Sequence, residues 1–87
     1  MTNANIGIFE IYEGLIRNEP ERVAELFTFM KLVPVRAEML FAHEVVVYTA
    51  ISAVFPEVEV NHKIPKYDLR ITRSDAGDVE CVEAVLI

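Results

Sequence analysis

The strongest constraint on this chain is a seven-residue run, Val45–Ile51, that reads VVVYTAI. β-Branched and aromatic residues of this kind favour extended backbone, because their side chains pack well on a pleated surface. A strand that is apolar at nearly every position has no polar face to turn toward water. The run therefore predicts a central β-strand that is covered on both faces, with Val47 and Ile51 in the core.

The segment before this run alternates with a period of two, from Leu32 to Leu40. Pro34 cannot donate a ladder hydrogen bond, so this strand should lie at a sheet edge or carry a bulge there. The polar break Ala42-His43-Glu44 separates the two strands and predicts that they form a hairpin.

A second hairpin is predicted near the C-terminus. Residues 67–72 alternate, residues 74–78 supply turn chemistry with Gly77 able to take a positive φ, and residues 79–87 return as the last strand. The preceding residues 53–66 contain two prolines and indicate a connecting loop, with room for a short strand at 58–60.

The N-terminal third of the chain carries the helical signals. Residues 5–17 fit two patterns, because apolar residues fall at helical spacing and residues 6–12 also form a stretch rich in β-branched and aromatic residues; we expect a helix. Asn18 is a good N-cap and Pro20 suits a first turn. An amphipathic helix should follow, with an apolar stripe formed by Val23, Leu26, Phe27 and Met30.

These elements predict a single α+β domain over residues 1–87. One or two N-terminal helices should pack on an antiparallel sheet of about four strands, built from the two hairpins. Apolar residues make up 53% of the chain, which is more than a small domain easily buries. We therefore expect a homo-oligomer, most simply a dimer, that associates through a sheet face or through the C-terminal strand.

Charge and cysteine content bear on partners and location. The formal net charge of −6 argues against general binding to nucleic acids or to anionic membranes. The N-terminus has no secretory signal pattern, and no apolar stretch is long enough to span a bilayer. The one cysteine, Cys81, cannot form an internal disulfide, so a cytoplasmic location is expected.

The sequence predicts no catalytic site, no metal site and no cofactor. It has no glycine-rich phosphate loop, nucleophile elbow, zinc-protease motif or paired CxxC. His43 and Glu44 are interpreted as solvated turn residues rather than metal ligands. Cys81 lies between apolar neighbours in a predicted strand, where a free cysteine usually behaves as a small buried hydrophobe.

A basic island interrupts this acidic chain, because residues 61–73 hold four cations and one carboxylate. Arg70 and Arg73 are expected to face acidic residues across the second hairpin. The remaining members and one distant arginine form the best candidate site for an anionic or polar ligand: Arg36, His62, Lys63, Lys66 and Tyr67.

Three functions follow as hypotheses. The first is a non-enzymatic binding protein that inhibits or modulates a protein partner, by analogy of size and composition with accessory proteins of phages and other mobile elements. The second is a module that sequesters an anionic small molecule or nucleotide at a subunit interface. The third is a small enzyme with an inter-subunit active site, whose polar participants would be Arg36, His43, His62 or Tyr67.

Overall fold

The computed structural model describes residues 3–59 and 63–87 and confirms an α+β fold with two N-terminal helices. Its elements are β1 Asn3–Tyr12, α1 Glu13–Asn18, α2 Pro20–Met30, β2 Val33–Leu40, β3 Val45–Ile51, β4 Glu57–Glu59, β5 Tyr67–Arg73 and β6 Val79–Leu86. Four strands form one antiparallel sheet in the order β2-β3-β1-β4, while β5 and β6 form a second sheet of two strands.

The main sheet is organised around a crossover. Because β3 is antiparallel to both β1 and β2, those two strands run parallel to each other with β3 inserted between them. The two helices connect β1 to β2, as in a split βαβ unit. Both helices therefore belong to one connection, and α2 packs its apolar stripe on a single side of the sheet.

The helix expected over residues 5–17 is wrong, because that segment is mostly strand β1. The backbone of β1 pairs with β3 over seven register positions, from Ile6 opposite Ile51 to Tyr12 opposite Val45. Gly7, which would weaken a helix, serves close packing instead. A Cβ atom at this position would lie 2.8 Å from ring carbons of both Phe55 and Tyr67.

Helix α2 confirms the predicted apolar stripe but not the predicted cap. Val23, Leu26 and Met30 are buried, and Pro20 occupies the first turn. The residue before the helix is Glu19, which makes no side-chain capping hydrogen bond. Asn18 cannot cap α2, because its backbone still belongs to the last turn of α1.

Two strand predictions based on single residues are confirmed. β2 is an edge strand, and its register with β3 shifts between Pro34 and Arg36. In the second hairpin, Gly77 has a φ of 92° and its N–H donates to the carbonyl of Ser74. The short strand expected at 58–60 corresponds to β4 at residues 58 and 59, and residue 60 lies outside the described residues.

The core lies between the main sheet, α2 and the second hairpin. Phe9 on β1 is fully buried, stacks on Tyr48 of β3 at 5.4 Å between ring centroids, and meets Phe27 of α2 edge-on at 6.0 Å. Phe55 and Tyr67 extend this aromatic cluster with a stacked contact at 5.3 Å.

The second hairpin leaves the main sheet instead of extending the first hairpin. Only the start of β5 remains attached, through a parallel bridge between Ile8 and Lys66 and the hydrogen bond from Ile8 N–H to Pro65 O at 2.9 Å. The far end of the hairpin packs on α2, where Arg73 Nη1 contacts Glu25 Oε1 at 3.1 Å. The predicted four-stranded sheet is therefore assembled from β1, the first hairpin and β4.

Two further expectations concern residues of this hairpin. Arg70 lies opposite Glu83 as expected, whereas Arg73 pairs with Glu25 of α2 rather than across the hairpin. The burial expected for Cys81 is wrong. Its neighbour Val82 occupies the core-facing side of β6, so the alternation of the strand turns Cys81 outward. Among the described residues, no helix is long and apolar enough to cross a bilayer.

Candidate functional site

The side of the main sheet that faces away from α2 is the most unusual surface of the chain. Since Phe9 and Tyr48 point toward the helix, their alternate neighbours on β1 and β3 must point the other way. We call this surface the outer face, and its residues on the two central strands are Ile6, Ile8, Glu10, Tyr12, Val45, Val47, Thr49 and Ile51.

The strand register arranges the outer face in four rows that run across β2, β3 and β1. In order along the strands, the rows are Val33, Ile51 and Ile6; Arg36, Thr49 and Ile8; Glu38, Val47 and Glu10; and Leu40, Val45 and Tyr12. Lys66 extends the second row, because it is bridged to Ile8 on the far side of β1.

The prediction that β3 is covered on both faces is wrong for the described part of the chain. Ala50 on the inner side is fully buried, but Ile51 on the outer face is 39% exposed. Neither Val47 nor Ile51 belongs to the core or to the hydrophobic side chains that pack against it. The reason is topological, because the one helical connection between β1 and β2 places both helices on the same side of the sheet.

Charged side chains frame the outer face in a regular pattern. At the β2 edge, Arg36 Nη2 lies 3.2 Å from Glu38 Oε2. At the other side, the Lys66 ammonium donates a hydrogen bond to the Glu10 carboxylate. Both cations flank the second row and both carboxylates flank the third row. These two rows are thus electrically neutral together, although the whole chain carries −6.

The tip of the first hairpin lies at the end of the outer face. Phe41 is 82% exposed there, and His43 and Glu44 are exposed turn residues as predicted. The Tyr12 hydroxyl donates to Glu44 Oε2 at 3.0 Å. That hydrogen bond, together with the negative charge of Glu44, raises the pKa of Tyr12.

The structure separates most of the residues predicted to bind an anionic ligand. Arg36 and Lys66 are three strand spacings apart, or about 14 Å. Tyr67 is only 5% exposed and belongs to the core, while Lys63 is exposed. His62 lies outside the described residues. Lys66 and Tyr67 are adjacent in the chain, but one turns to Glu10 and the other to Phe55. Ligand binding by this set stays a prediction.

An open cleft of about 370 Å³ lies between α2 and the start of β6, lined by Glu25, Thr28, Phe29, Asp78 and Val79. The Glu25 carboxylate already accepts hydrogen bonds from Arg73 and from the backbone N–H of Val79. No group of three or more potential metal ligands occurs among the residues with a described structure.

Association through a sheet face was expected from the apolar content, but the outer face itself was not identified, although a signal for it was present. β1 is apolar at even positions, Ile6 and Ile8, as well as at the core positions Phe9 and Ile11. Such a strand needs cover on two sides, and this requirement does not arise when the segment is interpreted as a helix.

No protein-family model, curated protein or solved structure matches this chain.

Proposed function

We propose that this chain is a small non-enzymatic binding protein whose outer face binds a flat apolar surface on a protein partner, thereby occluding or modulating that partner. The observation that carries this proposal is the largely apolar surface on the two central strands, formed by Ile6, Ile8, Val45, Val47 and Ile51 around the small polar residue Thr49. Contiguous apolar patches of this kind on a small protein are typical of interaction surfaces.

The shape of the outer face favours a protein over a small molecule. Small-molecule sites are concave and enclose most of their ligand. The outer face is instead a pleated sheet surface lined by β-branched side chains of similar length. Such surfaces bury apolar area efficiently only against another broad surface, at about 25 cal/mol per Å² removed from water.

The charges around the outer face further define the partner. A nucleic acid is disfavoured, because the chain carries −6 and the cations Arg36 and Lys66 are each paired with a carboxylate. A protein surface with an apolar centre and charges of both signs at its rim complements this arrangement. Rim charges of this kind mainly set orientation and association rate, while the apolar centre supplies affinity.

The alternative functions have less support. An anionic ligand would need the cations of the predicted ligand set to converge, and Arg36 and Lys66 lie at opposite sides of the sheet. An active site that includes Tyr67 would need that residue to leave its stacked position on Phe55.

Photo-crosslinking at two matched threonines tests the proposal. Thr49 lies on the outer face, and Thr72 lies on the exposed, outward side of the second hairpin. A photoreactive amino acid is placed at either position in cells that produce the protein, and adducts are identified by mass spectrometry. We expect one defined protein adduct from position 49 and none from position 72. Val47→Lys in the same chain should abolish the adduct, and the purified partner should bind the wild type in a calorimetric titration.

The absence of a protein adduct at position 49 would contradict the proposal, as would equal adducts at both positions. Circular dichroism of the Val47→Lys variant shows whether loss of the adduct reflects loss of the face rather than loss of the fold. A folded variant that still forms the adduct would also exclude the outer face as the binding surface.

A further inference from the structure

Building on the proposed function, we propose that the protein partner of the outer face is a second copy of this chain. The two copies pack face to face about a two-fold axis that lies in the interface plane, perpendicular to the β-strands, between the second and third rows. This arrangement places β3 of one copy over β3 of the other, with the two strands antiparallel, and it forms a four-layered assembly with the helices on the outside.

The charge pattern at the rim specifies this axis. A two-fold rotation about a line across the strands brings the second row of one copy over the third row of the other. Arg36 then lies over Glu38 of the other copy, and Lys66 lies one strand spacing, about 4.8 Å, to the side of Glu10 of the other copy. Each existing ion pair gains a second pair of opposite charge at the rim of the apolar interface.

The other in-plane axis that keeps the strands of the two copies aligned produces the opposite result. A rotation about a line along the strands would lay each row over itself with its ends exchanged. Arg36 would then meet Lys66 of the other copy, and Glu38 would lie within one strand spacing of Glu10 of the other copy, so both ends of the second and third rows would repel. The same four residues therefore favour one symmetric arrangement and disfavour the other.

Sheet geometry is compatible with this pairing. Two sheets that pack face to face lie about 10 Å apart, with strand directions within about 30° because each sheet twists. A second copy has the same sheet twist and presents the same surface of β-branched side chains. At the centre, Thr49 of each copy would lie over Val47 of the other.

The net charge of each copy does not oppose the association. The neutral second and third rows contain two cations and two carboxylates, so the remaining residues carry the whole −6, mainly in and around the helices and the second hairpin. In the four-layered assembly, the helical layers would be separated by three layer spacings, or about 30 Å. That distance exceeds the Debye length of about 8 Å at physiological ionic strength.

The area of the outer face sets the expected affinity. Three to four strands at about 4.8 Å spacing and seven residues at about 3.3 Å rise give a projected area on the order of 400 Å² per copy. Stable interfaces usually bury about 800 Å² of accessible surface per partner. We therefore expect a weak dimer with a dissociation constant in the micromolar range, so that monomer and dimer are both populated.

Sedimentation equilibrium of the purified full chain, over concentrations from about 1 to about 200 µM, tests the inference at the range where such a dimer dissociates. The wild type should fit a monomer–dimer equilibrium. Thr49→Lys should raise the dissociation constant by about tenfold or more, because it places an unpaired ammonium at the centre of the apolar interface. The matched variant Thr72→Lys should leave the dissociation constant unchanged.

Charge reversal at the β2 edge tests the axis. Arg36→Glu should weaken dimerisation by about tenfold, because the two copies would then bring four carboxylates together at the β2 edge, two from position 36 and two from position 38. The double variant Arg36→Glu/Glu38→Arg should restore wild-type dimerisation. If Arg36→Glu instead tightens the dimer, Arg36 faces Lys66 of the other copy and the proposed axis is wrong.

The outcomes separate this inference from the proposed function. A wild type that stays monomeric throughout, yet forms a defined adduct with a different protein from position 49, overturns the second-copy inference and supports the function. A monomer that forms no protein adduct overturns both. A dimer that is insensitive to Thr49→Lys uses another surface, such as the C-terminal strand, and also overturns the inference.

Discussion

The two antiparallel sheets of this chain turn opposite kinds of surface away from the core. The second hairpin places mostly polar side chains outward: Asp68, Arg70, Thr72, Cys81 and Glu83. The central strands of the main sheet place mostly apolar side chains outward, including Val47 and Ile8. Both sheets are regular antiparallel pairs, so the difference comes from the residues and not from the backbone.

This difference bears on which sheet faces are covered by other residues of the same chain. A sheet that is wetted on one side shows polar and apolar residues in alternation, as β5 and β6 do. A sheet that is apolar on both sides is normally covered on both sides. In β1 and β3 only the inner face is covered by described elements of the same chain. The second hairpin therefore has the pattern of a sheet with one face in water, whereas the outer face of the main sheet is apolar and has no cover from the described residues.

The largest predicted effect separates the two sides of β1. Phe9→Ala should lower the free energy of unfolding by about 3–5 kcal/mol, because it leaves a cavity among Phe27, Tyr48 and Phe55. Ile8→Ala, on the outer face of the same strand, should cost clearly less when the protein is dilute and monomeric. Urea unfolding at low protein concentration measures both. An Ile8→Ala cost equal to that of Phe9→Ala would mean that the outer face is core.

Two glycines give the next effect and distinguish packing from backbone conformation. Gly7→Ala should cost about 1–3 kcal/mol, since the new Cβ would lie 2.8 Å from Phe55 and Tyr67 ring atoms. Gly77→Ala should cost about 1 kcal/mol because of its positive φ, as open space surrounds that position.

Partner substitutions provide the controls for these two glycines. Gly77→Asn should retain more stability than Gly77→Ala, because asparagine tolerates a left-handed backbone better. Replacing Phe55 with leucine should reduce the loss of stability caused by Gly7→Ala. Unfolding free energies of the two single variants and the double variant measure this effect as a coupling energy. Additive costs at Gly7 and Phe55 would show that the aromatic rings do not limit this position.

A smaller effect concerns the attachment of the second hairpin to α2. Arg73→Leu removes the ion pair with Glu25 and the hydrogen bond to Gly77 O, and should cost about 0.5–1 kcal/mol. Amide hydrogen exchange should accelerate in β5 and β6 but not in β1 or β3. Arg70→Leu, on the outward side of the hairpin, is the matched control. It should change neither the free energy of unfolding by this amount nor the exchange rates in β5 and β6. Faster exchange across both sheets would show that the hairpin is not a separate unit.

The extent to which the sequence determined these conclusions differs between local and non-local features. Both hairpins, the apolar stripe of α2 and the edge position of the Pro34 strand followed from residues close together in the chain. Residues 5–17 did not, because their pattern satisfies two periods. The choice depends on β3, which lies more than thirty residues away and provides the pairing partner for β1.

The candidate site shows the same limit. Arg36 and Lys66 became one rim pattern only through the strand order, which no local motif encodes. Tyr67 was grouped with the basic island by sequence proximity, yet the alternation of β5 turns it into the aromatic core. Cover on one side of β3 depends on where α2 packs, and that follows from the whole topology.

The smallest predicted effect uses two tyrosines as probes of the two sides of the main sheet. Tyr48 is on the inner side, and burial raises its pKa above the ordinary value of 10.0. Tyr12 is on the outer face, where the hydrogen bond to Glu44 and the charge of that carboxylate raise its pKa. Glu44→Gln should lower the Tyr12 pKa toward its ordinary value and leave Tyr48 unchanged, as measured by phenolate absorbance in a pH titration.

The effect of Tyr48 on stability has a definite sign. A raised pKa means that the folded state favours the neutral phenol, so this contribution is complete below about pH 10 and is lost as the pH rises through the folded pKa. The wild type should therefore lose stability more steeply above pH 10 than Tyr48→Phe, which has no phenol to ionise. Urea unfolding midpoints of both proteins, measured at several pH values above 10, test this difference. If stability falls equally with pH in the two proteins, Tyr48 is as solvated as an outer-face side chain. That result would remove one of the observations that distinguish the inner side of the sheet from the outer.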